Sequence, residues 1–248
     1  MRDIRLSQIG YGRFIPARVV LLNDTEATLK DMKGNVIKTV CCEETRVDAA
    51  SGDHAAICDL GTLDEGEYLF AAVHDTEKIS VNKDTYKEPL RKLLKGFYFQ
   101  RCGCALDERF AGAWKHEACH TAQARLWNDP EKTMDAAGGW HDAGDYGRYS
   151  GPGAVAVAHM LYAYILFPSS FCVASDIPET GNGIPDVLNE CRVELDWLLK
   201  MQRYDGIVPT CGVGQSALSE YCGIVALLCN LLSIFSRSHS EAIFLLLP

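Results

Sequence analysis

The chain changes its hydrophobic rhythm once, near residue 83. Before that point apolar residues come in short runs divided by turn signals. Val19 to Leu22 form one such run behind Arg18, residues 27–40 suggest a hairpin folded at Lys33, Gly34 and Asn35, and residues 66–73 follow a turn at Asp64, Glu65 and Gly66. Short strands at regular intervals predict a small all-β sandwich over residues 1–83.

After a polar bridge at residues 80–84 the period becomes helical. Tyr86, Leu90, Leu93, Leu94 and Phe97 recur at helical spacing, with Lys and Arg opposite them. Residues 153–167 are apolar nearly all round, which predicts a helix buried on most sides. A third helix is expected where Ile184, Val187, Leu188, Cys191, Leu195, Leu198 and Leu199 form one stripe, with Pro185 suited to its first turn. A buried helix next to an amphipathic one suggests paired inner and outer helical layers over residues 84–248. The last forty residues differ in kind: between residues 206 and 235 the sole charged side chain is Glu220, and no clean stripe appears.

The net charge of −9 and the absence of a basic stripe argue against a nucleic-acid partner. No apolar run reaches the roughly 18 to 20 residues of a membrane span; residues 223–235 read instead as a buried helix. Eleven cysteines cannot all pair within one chain, so some thiols are free or metal-bound. The first residues lack the basic-then-apolar order of a secretory signal, and localisation is left unassigned.

Two clusters carry candidate chemistry. Cys102, Cys119, His120 and His141 are a Cys2His2 set that could close a tetrahedral zinc site, with Cys104 and His116 as rival ligands. From spacing alone this set competes with ordinary buried thiols and surface imidazoles. The second cluster is the stretch GGWHDAGDY at residues 138–146. Asp142 and Asp145 could hold and deprotonate a water, bind a calcium-type cation, or form a plain Asp-Gly turn. Trp140, Tyr146 and Tyr149 flank them, as flat rings flank acids in a sugar site; each could equally be core.

Four segments then carry a resemblance: GFYFQRCG at 96–103, HEACH at 116–120, GGWHDAGDYGRY at 138–149 and ETGNGIPDVLNECRVELDWLLKMQ at 179–202. In order and spacing they resemble the first part of the catalytic domain of glycoside hydrolase family nine. The opening IRLSQIGYGRF resembles the immunoglobulin-like module that precedes that domain in one branch. The resemblance implies an immunoglobulin-like β-sandwich over residues 1–83, followed over residues 84–248 by part of an (α/α)6 barrel. It implies cleavage of β-1,4-glucosidic bonds in cellulose or related β-glucans, endo-acting and with inversion. Asp145 would be the base and Asp142 its helper. Trp140, Tyr146 and Tyr149 would face sugar. Cys102, Cys119, His120 and His141 would hold a structural zinc, while calcium is assigned to no residue.

The family's general acid glutamate, and a sugar-contacting histidine and arginine, belong to a later part of the domain and match nothing here. After residue 208 the pattern is lost, which suggests truncation and a change of reading frame, and a fragment of weak or no activity. The resulting expectation is a monomeric β-1,4-glucanase acting on a polysaccharide or oligosaccharide, with no nucleic acid or membrane partner. Its rivals are a non-catalytic carbohydrate-binding remnant and an exo-acting β-glucosidase of the same fold.

Overall fold

The computed structural model describes residues 3–22, 24–42, 46–126 and 129–202, with short strands at 208–209, 211–212 and 220–221. A β-sheet region comes first and a helical region follows. The chain divides into two compact units between residues 90 and 91.

The first unit contains β1 (Ile4–Arg5), β2 (Ala17–Leu22), β3 (Glu26–Asp31), β4 (Val36–Cys41), β5 (Arg46–Val47), β6 (His54–Gly61), β7 (Gly66–Ala71) and β8 (Thr76–Val81). They make two antiparallel four-stranded sheets, ordered β1-β2-β6-β5 and β4-β3-β7-β8. Alternation along β2, β3 and β6 explains most of the packing, because successive side chains of a strand face opposite ways. Val19, Leu21, Cys58 and Leu60 from one sheet meet Ala27, Leu29, Phe70 and Ile79 from the other in a single apolar core. The expected hairpin is β3-β4. Its turn is held by Asp31 Oδ1, which accepts from the amides of Lys33 (2.9 Å) and Asn35 (2.8 Å), while Gly34 takes φ +90°. A disulfide joins Cys42, just after β4, to Cys58 in β6, and so ties one sheet to the other. Among the described residues Cys102, Cys104, Cys119, Cys172 and Cys191 are free thiols.

The helical region holds α1 (Lys87–Gln100), α2 (Glu108–Ala111), α3 (Ser150–Leu166) and α4 (Asp186–Met201). All three long helices occur where the sequence places them, yet their buried faces differ from the expected ones. In α1 the inward residues are Leu94 and Tyr98, whereas Leu93 is 68% exposed and Tyr86 stands outside the helix, 43% exposed. Helix α3 buries one face through Ala154, Val157, Met160 and Leu161 but exposes Val155, Tyr162 and Leu166, so among the described residues it is not buried on most sides. Helix α4 packs against α3 and buries far more than its apolar stripe: Glu190, Glu194 and Trp197 are inside, while Leu199 is exposed. Pro185 stands at the N-cap.

Between α1 and α3 runs a long segment with little regular structure, which carries both candidate clusters. Two tiny strands, β9 (Ala124–Arg125) and β10 (Thr133–Met134), pair within it, and β11 (Arg148–Tyr149) leads into α3. No helix among the described residues is long and apolar enough to cross a membrane. The expected helix at 223–235, and most of the segment read as atypical after residue 208, lie outside the described residues.

Candidate active site

The GGWHDAGDY loop is clamped to α4 before its acids begin. Gly138 and Gly139 have φ of +117° and +73°, and a Cβ on Gly139 would come within 2.7 Å of the Trp197 ring, so the backbone lies flat on that indole. Trp140 is then gripped twice. Its amide donates to Glu194 Oε2 (2.8 Å) and its indole Nε1 to Glu190 Oε1 (2.9 Å). These carboxylates are four residues apart and therefore one turn apart on the same face of α4.

The clamp continues into an ion-pair network. Arg101 donates to both oxygens of Glu190 (2.8 to 3.3 Å) and of Glu179 (2.9 and 3.0 Å), with Arg101 and Glu190 both buried. Burial disfavours the guanidinium charge, but its two carboxylate partners outweigh this and hold Arg101 above its usual range. Backbone bonds from the Cys102 amide to Gly139 O and from the His141 amide to Gln100 O (both 2.8 Å) stitch the loop to the end of α1. Arg148, 1% exposed, reaches back to the carbonyls of Ala136 and Gly138.

Past His141 the loop turns outward. Asp142 N donates to Gly147 O (2.8 Å), and Tyr146 adopts φ +55°, the left-handed region that a bulky side chain rarely enters. Asp145 is exposed but not loose: Oδ1 accepts from Gly147 N (2.9 Å) and Oδ2 from the Tyr149 hydroxyl (2.7 Å). Those two bonds, the Gly147 amide first, hold its carboxyl below the usual range. A cavity of about 190 Å³ is walled by Asp142, Tyr149, Trp140 and His141, together with Phe97, Gln100, Gly153 and Glu194. Asp145 adjoins it through Tyr149.

Two of the three candidate sugar-facing rings, Trp140 and Tyr149, wall the same cavity, and Tyr146 does not. Tyr149 is half-buried and lines this cavity, Trp140 is 6% exposed and mostly engaged by the clamp, and Tyr146 turns edge-on to His141 and lines a second cavity.

Cys102, Cys119, His120 and His141 converge, with one donor atom each, all within 4.8 Å of one another. The neighbouring pairs are Cys102 Sγ to Cys119 Sγ 3.8 Å, Cys102 Sγ to His120 Nδ1 3.4 Å, Cys119 Sγ to His141 Nε2 3.6 Å, and His141 Nε2 to His120 Nδ1 3.3 Å. Such a group could hold a metal ion. Neither rival ligand, Cys104 or His116, belongs to it. Burial, then the neighbouring His120 and Arg148, pushes the His141 imidazole down to about 4 and so keeps it neutral, the form that ligates metals. Burial raises Cys102 to about 12, a cost that a bound cation would offset by stabilising the thiolate.

Glu190 and Glu194 are the site residues that sequence reasoning missed. Their signal was present: two acids four apart on the face that also carries Val187, Cys191 and Leu198. Burial raises Glu194 from 4.5 to about 8, against the pull of the Trp140 amide and Arg148. A carboxyl raised on folding contributes stability below its unfolded value and loses it as pH rises through its folded value. His141, depressed on folding, works in the opposite sense up to its unfolded value of 6.5. Stability should therefore decline most clearly between pH 6.5 and 8, and Glu194→Gln should flatten that decline. Denaturant midpoints of the two proteins across this range check it; parallel curves would refute the assignment.

The sequence profile of glycosyl hydrolase family 9 matches residues 86–223. A cellodextrinase of Butyrivibrio fibrisolvens is 37% identical over 214 residues, which cover 84% of this chain and 39% of that protein. This chain therefore spans about two fifths of the relative's length. The crystal structure of a metagenome-derived family 9 endoglucanase superposes with a TM-score of 0.79 at 27% identity, covering 98% of this chain and 52% of that one. A zinc-binding triple mutant of the family 9 endoglucanase J30 also superposes with a TM-score of 0.79, at 25% identity, covering 95% of this chain and 50% of that one. With the profile matched over more than half of its residues, on the segment that holds the clamped loop and the Cys/His cluster, the chain belongs to glycosyl hydrolase family 9.

Proposed function

We propose that the chain carries the base side of an inverting hydrolysis of β-1,4-glucans. The observation that bears most weight is Asp145. It is an exposed carboxylate with each oxygen fixed by a separate donor, on a loop locked to the scaffold, in a family 9 chain. In this reading Asp145 takes a proton from a water molecule, which attacks the anomeric carbon on the face opposite the departing oxygen. Asp142, exposed at the cavity wall, orients the same water. Tyr149 does two things: it holds Asp145 and offers its ring to the sugar, with smaller shares for Trp140 and Tyr146. Inversion also takes a general acid, about 6.5 to 9.5 Å from the base carboxyl. None of the described residues is assigned that role.

The metal is zinc in this reading. A tetrahedral ion with bonds of about 2.3 Å to sulfur and 2.05 Å to nitrogen would set S–S, S–N and N–N edges near ~3.8, ~3.5 and ~3.3 Å. Four of the six donor pairs in the cluster, at 3.8, 3.4, 3.6 and 3.3 Å, lie near those edges, and all six lie within 4.8 Å, so an ion would draw the set together. Four protein donors leave no open position, so such a zinc is structural: it fixes His141, and with it the start of Asp142–Asp145. The two units are read as an immunoglobulin-like module over residues 1–83 and the first helices of an (α/α)6 barrel beyond it. Support comes from the two sheets with one shared core and from the superposed family 9 structures.

The test uses 2,4-dinitrophenyl β-cellobioside, whose phenolate leaves without a proton donor, so that the base side alone is read. Expected are dinitrophenolate release, cellobiose formed first as the α anomer by NMR, and one zinc per chain by elemental analysis. A β anomer as first product would overturn the inverting assignment, and a metal-free chain with all four thiol and imidazole ligands intact would overturn the zinc.

A further inference from the structure

Glu194 reaches further than the Trp140 amide. One oxygen, Oε2, accepts from that amide (2.8 Å), at the front of the GGWHDAGDY loop. The other, Oε1, lies against the start of α3: a Cβ built on Gly153 would overlap it and stand 3.0 Å from the carboxyl carbon. Gly153 belongs to the regular helix, where alanine is the better helix former. The carboxyl of Glu194 takes the room that an alanine would need.

Helix α3 begins where the loop ends. Tyr149 is its N-cap, makes no side-chain cap bond, and holds Asp145 through its hydroxyl (2.7 Å). One buried carboxyl therefore joins Trp140, before the two acids, to the helix that starts after them, and Asp142 and Asp145 lie on the span between. We infer that Glu194 is a positioning residue for the hydrolysis: by tying Trp140 to the start of α3 it sets where Asp142 and Asp145 stand. The inference rests on Asp145 as the base and extends that reading to what aims it.

The surroundings of Glu194 give the tie a dependence on pH. Burial raises its carboxyl, the Trp140 amide and then Arg148 pull it down, and Glu190, one turn away on α4, raises it again, with a balance at about 8. Helices α1 and α3 present uncharged groups to the cavity it walls, among them Gln100 and Gly153, while the loop adds His141 and Asp142. Below its folded value the carboxyl is neutral and fits its dry seat. Once ionised it is a buried charge beside Glu190, which draws water in and loosens the tie.

Dinitrophenyl β-cellobioside tests this on the whole chain, because its leaving group takes no proton and an alkaline loss of rate cannot come from a general acid. The wild-type rate should fall as pH rises through about 8. Glu194→Gln keeps an acceptor for the Trp140 amide but cannot ionise, so it should recover most of the rate and show no such fall. Gly153→Ala displaces the carboxyl and should cut kcat roughly 10²-fold, as a misplacement of about 1 Å can, with KM within about twofold. Amide hydrogen exchange over residues 138–149 should quicken in Gly153→Ala and stay slow in Glu194→Gln. Wild-type kcat and exchange in Gly153→Ala, or an alkaline fall that survives in Glu194→Gln, overturns the inference; should the Ala variant not fold, the pH profile of the Gln variant decides. If the wild-type chain releases no dinitrophenolate, the reading of Asp145 falls, and exchange alone then decides whether Glu194 fixes the loop.

Discussion

Replacing Asp145 by Asn should cut dinitrophenolate release from dinitrophenyl β-cellobioside by about 10²- to 10⁴-fold, the usual worth of a positioned general base. The amide fills the same volume and can still accept from the Gly147 amide or the Tyr149 hydroxyl, but it cannot take a proton from water. Cellobiose affinity should therefore stay within about twofold, because a pure loss of transition-state stabilisation lowers kcat without raising KM. The low-pH limb carries a second signature. Asp145 is held below the usual carboxylate range by two hydrogen bonds, so its ionised form persists into mild acid. Tyr149→Phe removes one of those bonds and should move the acid limb upward while leaving much of the rate. Full activity in the Asn variant would sink the assignment of Asp145 as base.

The second large effect is on stability. Glu190→Ala should cost about 3 to 5 kcal/mol, the range for stripping one partner from a buried ion pair. Arg101 would keep only Glu179, whose side chain is 35% exposed, and the buried indole Nε1 of Trp140 would lose its acceptor. Arg101 adjoins Cys102 and Trp140 adjoins His141, so the damage should spread to the metal cluster. On the zinc reading a chelator should strip the ion more readily than from the wild-type chain, and the denaturant midpoint should fall. A Glu190→Gln variant keeps an acceptor for the indole and should recover part of both losses. An unchanged midpoint in the Ala variant would mean that the Arg101 network is incidental to the fold.

What the sequence disclosed was uneven for physical reasons. The hairpin at Lys33 to Asn35, the change from strand to helix and the three long helices follow from local periodicity and turn chemistry, which neighbouring residues alone decide. The faces of those helices do not. Leu93 and Leu199 lie on the arithmetic stripes yet are exposed, because which face of a helix is covered depends on residues remote in sequence and not on its own periodicity. Glu190 and Glu194 look like solvent-facing acids when only apolar positions are counted; they are buried because Arg101 and the Trp140 donors meet them there, from residues about fifty to ninety positions away. Trp140, expected to face sugar, is 6% exposed and held by the same pair, while it still walls the cavity beside Asp142. The Cys42–Cys58 disulfide was equally hidden, since the choice of partners among eleven cysteines depends on which strands face each other.

By itself, then, the sequence determined which residues can do chemistry: two acids three apart, rings beside them, and a Cys2His2 set with two rival ligands. Those are properties of side-chain type and spacing along a chain. Only the tertiary structure decided that the four ligands meet within 4.8 Å while Cys104 and His116 stay out, and that Tyr149 rather than Trp140 stands beside Asp145. It also decided that two buried glutamates hold the loop. Such choices depend on distances between residues remote in sequence, and those are set when α4 docks against α3 and the glycine pair lies flat on Trp197.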